Sequence, residues 1–270
     1  MSVNRSARAR WVVPLLVAIA AVAGSCTEIG TNPTIVTAIE FDSLPYPAVV
    51  TGDTLRDSLG NAAPLHAIAF NGAGNVIPNP AITFLALDSG LTIDPTGIVT
   101  AQLRNGLVRV IASVPGLQTG PESLIVARRP DFVVPPPQLV DTLLYAVPDN
   151  AATNVTPALT LQIATLDTAG GILGTQGWLV SYQLFFHGKA LAITDTTIAS
   201  LWNGSSQPTL MDTTIAGGIA SRVLRVRSTL LPTLVESVTV VASVRYRGAP
   251  LPGSPVTYVI QLRPLVTPPK

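Results

Sequence analysis

The chain has 270 residues, of which 47% are hydrophobic, only 5% are aromatic and 11% are charged, and its formal net charge is +1. A charge this small excludes the strongly basic composition typical of proteins that bind nucleic acids or other polyanions. The single cysteine excludes an intramolecular disulfide, so we expect apolar burial and backbone pairing to stabilise the fold.

The first 25 residues have the pattern of a secretory signal peptide. Arg5, Arg8 and Arg10 precede 15 uncharged residues, 11–25, and a basic start followed by a short apolar segment and small residues is typical of exported proteins. A spanning helix needs about 20 apolar residues, and Pro14 disfavours one further. Removal of residues 1–25 takes away three of the 16 basic residues, which leaves 13 against 15 acidic ones.

The end of this segment points to a lipid anchor. Residues 22–26 read VAGSC, which resembles the lipobox of bacterial lipoproteins, with Ala23 where leucine is more usual. The resemblance implies that Cys26 is lipidated and becomes the first mature residue, and that Thr27, in place of aspartate, favours the outer membrane. Residues 21–23 also form an ordinary cleavage site, so plain secretion and a retained anchor stay open, although a lone exported thiol favours modification.

About 245 mature residues are enough for two domains. The triple proline 135–137 cannot join a sheet ladder and favours an extended spacer. We therefore predict the following division: signal peptide 1–25, tether 26–33, first domain 34–128, proline-rich linker 129–138, second domain 139–265 and tail 266–270.

Apolar and polar residues alternate along most of the mature chain, which indicates strands that bury one face. In one such run Val238, Val240 and Ala242 alternate with threonine and serine, and another follows at 256–263. Turn signals such as Asn71-Gly72 and Asn203-Gly204 separate the runs. The predicted fold class is all-β, with strands spaced as in sandwiches.

Four segments of the first domain resemble the bacterial immunoglobulin-like group 2 family. They read VTGDTL at 50–55, ITF at 82–84, DPTGIVTA at 94–101 and NGLVRVIA at 105–112, with Phe84 where the family has tryptophan. Residues 147–155, VPDNAATNV, resemble the opening of another bacterial immunoglobulin-like group. These resemblances imply two tandem immunoglobulin-like β-sandwiches after a cleaved signal peptide.

The chain offers little for catalysis or metal binding. Its two histidines, His66 and His187, form no H-x-x-x-H pair, and no G-x-S-x-G motif occurs. Asp149, Asn150 and Asn154 could supply oxygen ligands for calcium, but without a D-x-D-x-D-G series we interpret them as turn residues. We predict no catalytic residue, no metal and no cofactor.

Five arginines are the main candidate for a binding face. Arg225, Arg227, Arg245, Arg247 and Arg263 have the polar parity of three predicted strands, so neighbouring strands would place them on one exposed face. Such a face could bind an anionic envelope polymer, or it could only be a solvated surface that discourages edge pairing. Trp202 could stack on a sugar, or it could fill a loop.

These features favour a lipid-anchored, non-enzymatic cell-envelope protein that acts as a spacer or as an interaction or adhesion module. Its partners would be the membrane, through the anchor, and an envelope protein or polysaccharide, while nucleic acid is disfavoured because interleaved exposed aromatics are missing. The alternative is a module that binds glycan or envelope polymer through Trp202 or the arginines. An enzyme with a dispersed site is a third hypothesis.

Overall fold

The computed structural model describes residues 34–102, 106–193, 198–231 and 236–265. The predicted signal peptide, Cys26, the tether and the tail lie outside these residues. Strands make up the regular structure of the described residues, apart from one 3-10 turn at Ser228–Leu230, so the all-β prediction is confirmed. The same residues contain no helix with the length and hydrophobicity that a membrane crossing requires.

The first sandwich consists of short strands, most of which bury one face. They are β1 (Ala38–Ser43), β2 (Ala48–Val50), β3 (His66–Phe70), β4 (Thr83–Ala86), β5 (Leu91–Ile93), β6 (Val99–Ala101), β7 (Gly106–Val114), β8 (Leu117–Gln118) and β9 (Glu122–Ala127). One sheet has the order β2-β9-β7-β4, with β8 paired to β7, and the strand pairs β1-β3 and β5-β6 complete the domain.

The core of this sandwich follows the predicted parity. Val108, Val110, Ala112 and Val114 on β7 are each at most 7% exposed. Phe84 packs on Phe41 with ring centroids 5.8 Å apart, and both half-buried rings pack against the core.

The second sandwich contains the remaining strands. They are β10 (Phe132–Val134), β11 (Val140–Tyr145), β12 (Leu159–Leu166), β13 (Ile172–Gly174), β14 (Leu179–Phe186), β15 (Lys189–Leu191), β16 (Ala199–Trp202), β17 (Met211–Thr213), β18 (Ile219–Val226), β19 (Glu236–Ser243), β20 (Arg245–Tyr246), β21 (Ala249–Pro250) and β22 (Val256–Pro264).

The strand order of this second domain is that of an immunoglobulin sandwich. One sheet has the order β10-β12-β18-β16, which in chain sequence is the A-B-E-D arrangement, and the other has the order β11-β22-β19-β14-β15, which contains the G-F-C arrangement. Strand β11 runs parallel to β22, while β19 is antiparallel to both β22 and β14. Both domains are β-sandwiches, as predicted.

The predicted proline-rich linker 129–138 needs correction. Strand β10 lies inside it and pairs with β12, so that Val133 faces Ile163. The three prolines 135–137 then carry the chain from β10 in one sheet to β11 in the other. Proline suits this crossing because the chain there leaves the ladder and needs no N–H donor. Only the four residues 128–131 separate the last strand of one sandwich from the first strand of the next.

Two neighbouring strands of the second domain offer a matched test of side-chain orientation. Leu262 on β22 is fully buried, whereas Leu144 on the neighbouring β11 is 53% exposed. We expect Leu262→Ala to lower the free energy of unfolding by about 2–5 kcal/mol, because it leaves a cavity. Leu144→Ala should cost less than about 1 kcal/mol. Urea denaturation measures both, and equal losses would contradict the inward orientation of Leu262.

Candidate functional site: the junction between the sandwiches

The structure does not bring the five predicted arginines together. Strand β18, with Arg225, belongs to one sheet, while β22, with Arg263, belongs to the other. Arg245 and Arg247 lie at the β20-β21 hairpin, beyond the end of β19 opposite to the end near Arg263, so about 30 Å of strand separates the two groups. The prediction of a single arginine face is therefore wrong.

Arg225 is buried rather than solvated. It lies on the outward parity of β18 as predicted, but it is only 3% exposed, because the segment after β11 covers it. Its two terminal nitrogens donate to the Asp149 carboxylate at 2.6 and 3.2 Å. Asp149 also accepts hydrogen bonds from the Ser228 backbone at 3.1 Å and from Asn154 at 3.0 Å.

The same network accounts for the oxygen-rich segment near residue 150. Burial raises the pKa of the Asp149 carboxyl, but the hydrogen bonds from Ser228 and Arg225 outweigh it and hold the pKa below its usual value. Asn154 is fully buried and bonds both backbone groups of Ala146. The side chain of Asn150 accepts from the backbone of Ala152 in a tight turn. These side chains therefore fix the loop onto β18.

Trp202 is half-buried and engaged on one face. Its indole nitrogen donates to Ser200 at 2.9 Å, and the Arg225 guanidinium lies 5.9 Å from the ring centroid. Ser200, Arg225 and Trp202 all lie on the outer side of the sheet. The structure thus supports the interpretation that Trp202 fills a loop, and it leaves less of the ring open to stack on a sugar.

The two histidines lie apart on exposed positions. His66 contacts Asp42 at 3.1 Å, and His187 contacts Glu236. Among the described residues, no group of three or more histidine, cysteine or acidic side chains is arranged to hold a metal ion.

The most developed constellation of side chains lies where the two sandwiches meet. Trp178, just before β14, packs between Tyr46 of the first domain and Tyr246 of the second, with ring centroids 5.2 and 5.8 Å apart. Its indole nitrogen donates to the Arg245 carbonyl at 3.0 Å. The Tyr46 hydroxyl accepts a hydrogen bond from the Leu179 backbone at 2.9 Å, so it ties the first domain to the start of β14. Burial raises the pKa of this hydroxyl, which therefore stays protonated.

A carboxylate of the first domain forms the polar half of this junction. Asp53 accepts hydrogen bonds from Arg247 at 2.8 and 3.1 Å and from the Tyr246 hydroxyl at 3.3 Å. Within its own domain it also pairs with Arg56 at 3.1 Å. Burial raises the pKa of Asp53, but the hydrogen bonds from Arg56 and Arg247 outweigh it and lower the pKa to about 2. Asp53 is therefore an anion that two arginines share across the domain boundary.

The backbones of the two domains also approach closely. A Cβ atom added to Gly60 would lie 2.2 Å from the Arg247 carbonyl carbon, and one added to Gly248 would lie 2.4 Å from the Leu59 oxygen. On the other side of the junction, a Cβ at Gly177 would lie 3.0 Å from Ala48 and Ile125. The cavity between Tyr46, Trp178 and their neighbours measures about 30 Å³, which is too small for an organic ligand. A larger groove of about 240 Å³ lies elsewhere along the junction, between Leu107 and Ile125 of the first domain and Gln176 of the second. The close backbone approaches and the aromatic packing make the region around Trp178 a docking contact.

Sequence reasoning missed this contact. Alternation along 178–186 and 238–246 gives Trp178 and Tyr246 the parity of apolar strand faces, and in the structure Trp178 is buried and Tyr246 is half-buried. The sequence around Asp53 predicts no contact with the second domain, and Asp53 is noted only as part of the VTGDTL segment that resembles the group 2 family. Periodicity identifies which side of a strand is covered, but it does not show whether the cover comes from the same domain or from the next one.

Comparisons with known proteins neither support nor contradict a docking contact between the two sandwiches. No protein-family model and no curated protein matches the chain, so the group 2 resemblance stays a prediction. Domains 4 and 5 of the S-layer protein SbsC are similar at 14% identity over 84% of this chain and 98% of that one, with a TM-score of 0.30. The adhesin InvE of Yersinia pseudotuberculosis is similar at 11% identity over 83% of this chain and 58% of that one, with a TM-score of 0.32. Similarities this low do not decide the function.

The buried arginine gives the first prediction for this region. Arg225→Gln leaves the Asp149 carboxylate partly buried without its cation, so we expect a loss of about 2–4 kcal/mol in the free energy of unfolding. The control is Arg245→Gln, since Arg245 is exposed and its side chain donates to the Gly248 carbonyl at 3.3 Å. That change should cost less than about 1 kcal/mol. Similar losses in urea denaturation would contradict the buried ion pair.

A pair of glycines tests the docking itself. Gly60 and Gly74 both have positive φ, at 92° and 79°, but a Cβ at Gly74 meets nothing within 4 Å. Alanine at either site should cost about 1–3 kcal/mol of backbone strain. Only Gly60→Ala also forces the domains apart, so it alone should increase the radius of gyration in small-angle X-ray scattering. An unchanged radius would contradict the docked arrangement.

Proposed function

We propose that this chain is a lipid-anchored, non-enzymatic protein of the cell envelope in which two immunoglobulin-like sandwiches form one rigid spacer or interaction module. The observation that carries the proposal is the junction, where Trp178, Tyr46 and Tyr246 pack across the boundary and Asp53 pairs with Arg247. Domains on a free linker move independently, whereas a packed aromatic contact fixes their relative orientation. A fixed orientation is what a spacer needs to hold a surface at a set distance from its anchor.

The location follows from the start of the sequence. The basic start, the short apolar segment and the VAGSC sequence at 22–26 support export, cleavage and attachment of lipid at Cys26. Thr27 supports the outer membrane as the destination. Since the first sandwich follows Cys26 directly in sequence, the second sandwich is the more distant of the two along the chain and the better placed to meet an envelope protein or polysaccharide.

The alternative of a glycan-binding or polymer-binding module loses its two supports. The five arginines do not share a face, and Arg225 covers one side of the Trp202 ring. The remaining exposed arginines are divided among the junction hairpin with Arg245 and Arg247, the end of β18 with Arg227, and the far end of β22 with Arg263. The spacer and interaction role therefore has the stronger support.

Metabolic labelling with a fatty-acid probe tests the anchor. The wild-type protein should be labelled and should fractionate with membranes, since the several acyl chains of a lipoprotein hold it firmly. Cys26→Ser should abolish the label, because the chain has no other thiol, while the control Gly74→Ala should keep it. Release of an unlabelled wild-type protein that begins at Gly24 would contradict lipidation and leave plain secretion.

A further inference from the structure

One edge of β3 in the first sandwich is partly unpaired, while β1 covers the other edge. On the open side, Leu65, just before β3, donates its N–H to the Gly97 carbonyl at 2.9 Å. The Ala69 carbonyl on that side accepts a hydrogen bond from Ile77 at 2.8 Å. Alternate residues of a strand present their backbone groups to the same edge, so Ala67 faces this side too. Among the described residues, no group bonds the carbonyl of Leu65 or the N–H and carbonyl of Ala67.

The chain beside this edge turns away too early to pair with Ala67. After the turn at residues 71–75 it runs back along β3 as far as Ile77. Pro78 and Pro80 lack an N–H, and Asn79 between them has a φ of 51°, which takes the chain out of the extended conformation. The position opposite Ala67 that residue 79 would occupy in a continued ladder is therefore left open.

The unpaired backbone groups border a groove of about 370 Å³. Leu65 and Ala67 both belong to its lining, although they are only 3% and 8% exposed. The rest of the lining is largely apolar and includes Ile68, Pro78, Pro80, Ile82, Phe84 and Pro95. Backbone groups at this depth are ordinarily paired. A ligand that supplies the missing hydrogen bonds is therefore favoured in this groove.

The groove carries little charge. Among its described lining residues, His66 is the one titratable side chain, and its ring contacts Asp42 at 3.1 Å. An anionic polymer needs complementary cations, which the described lining does not provide. A sugar presents hydroxyl groups on all sides, and apolar walls leave many of them unpaired. The backbone donor, the two backbone acceptors and the apolar walls instead match an uncharged peptide in an extended conformation.

We propose that this groove, called the β3 groove below, binds an extended, uncharged peptide segment of a partner protein by strand addition. One residue of the segment exchanges two backbone hydrogen bonds with Ala67, and the residue two positions further on donates its N–H to the Leu65 carbonyl. Side chains of a strand alternate between two sides, so apolar residues at every second position of the segment pack on the apolar walls. The β3 groove lies within the first sandwich, so this binding depends neither on lipid at Cys26 nor on the junction.

An NMR titration of the full chain carrying Cys26→Ser tests the proposal with acetyl-TVTVT-amide, an uncharged peptide with alternating apolar residues. We expect saturable chemical-shift changes at the amide of Ala67 with a dissociation constant of about 0.1–1 mM, since three hydrogen bonds and a short apolar contact give weak affinity. At saturating peptide, hydrogen exchange of the Ala67 amide should slow about tenfold, because the peptide supplies its acceptor. The same peptide N-methylated at every residue keeps its side chains but loses its backbone donors, so it should not bind.

A pair of arginine variants locates the binding site. Val76 lines the β3 groove and is 59% exposed, whereas Leu85 on β4 is 43% exposed and lies outside the lining. Val76→Arg sets a charge against the apolar peptide and should raise the dissociation constant at least about tenfold, while the control Leu85→Arg should leave it unchanged. Circular dichroism should show the wild-type β spectrum for both variants. A wild-type chain without saturable shifts, binding of the N-methylated peptide, equal effects of the two arginine variants, or the same shifts with cellobiose would overturn the proposal.

Discussion

The packing of Trp178 between Tyr46 and Tyr246 is the contact on which the arrangement of the two domains depends. Aromatic pairs at these distances contribute about 0.5–1.5 kcal/mol each beyond the area that they bury, and both pairs share the same indole. The Asp53–Arg247 pair beside them is half open to solvent on the arginine side, so it contributes less to stability than to orientation. Aromatic packing therefore contributes more than the ion pair to holding the domains together.

Arg225 and Arg247 of the second domain have different roles because they differ in burial. Arg225 is enclosed between a loop and Trp202, where losing its partner would leave a charge in a poor environment. Arg247 lies at the tip of a hairpin, with its side chain 52% exposed, and reaches across to the first domain. Arg225 stabilises the second domain from within, and Arg247 connects the two domains. Strand parity alone describes both as outward-facing residues.

The junction packs the two sandwiches against each other, which is the arrangement that the proposed spacer role requires. Such a contact is uncommon for independent domains on a flexible linker, where contacts between modules are few.

Alternation of apolar and polar residues determined the β class and the core-facing residues, since a period of two is a local property of the backbone. Val108 and Val110 of the first domain and Leu262 of the second are buried as that pattern predicts. The tertiary structure decided what covers each outward residue, because cover comes from segments distant in sequence. It placed the 146–155 loop over Arg225, brought Tyr46 against Trp178, and turned three prolines from a linker between domains into a crossing within one.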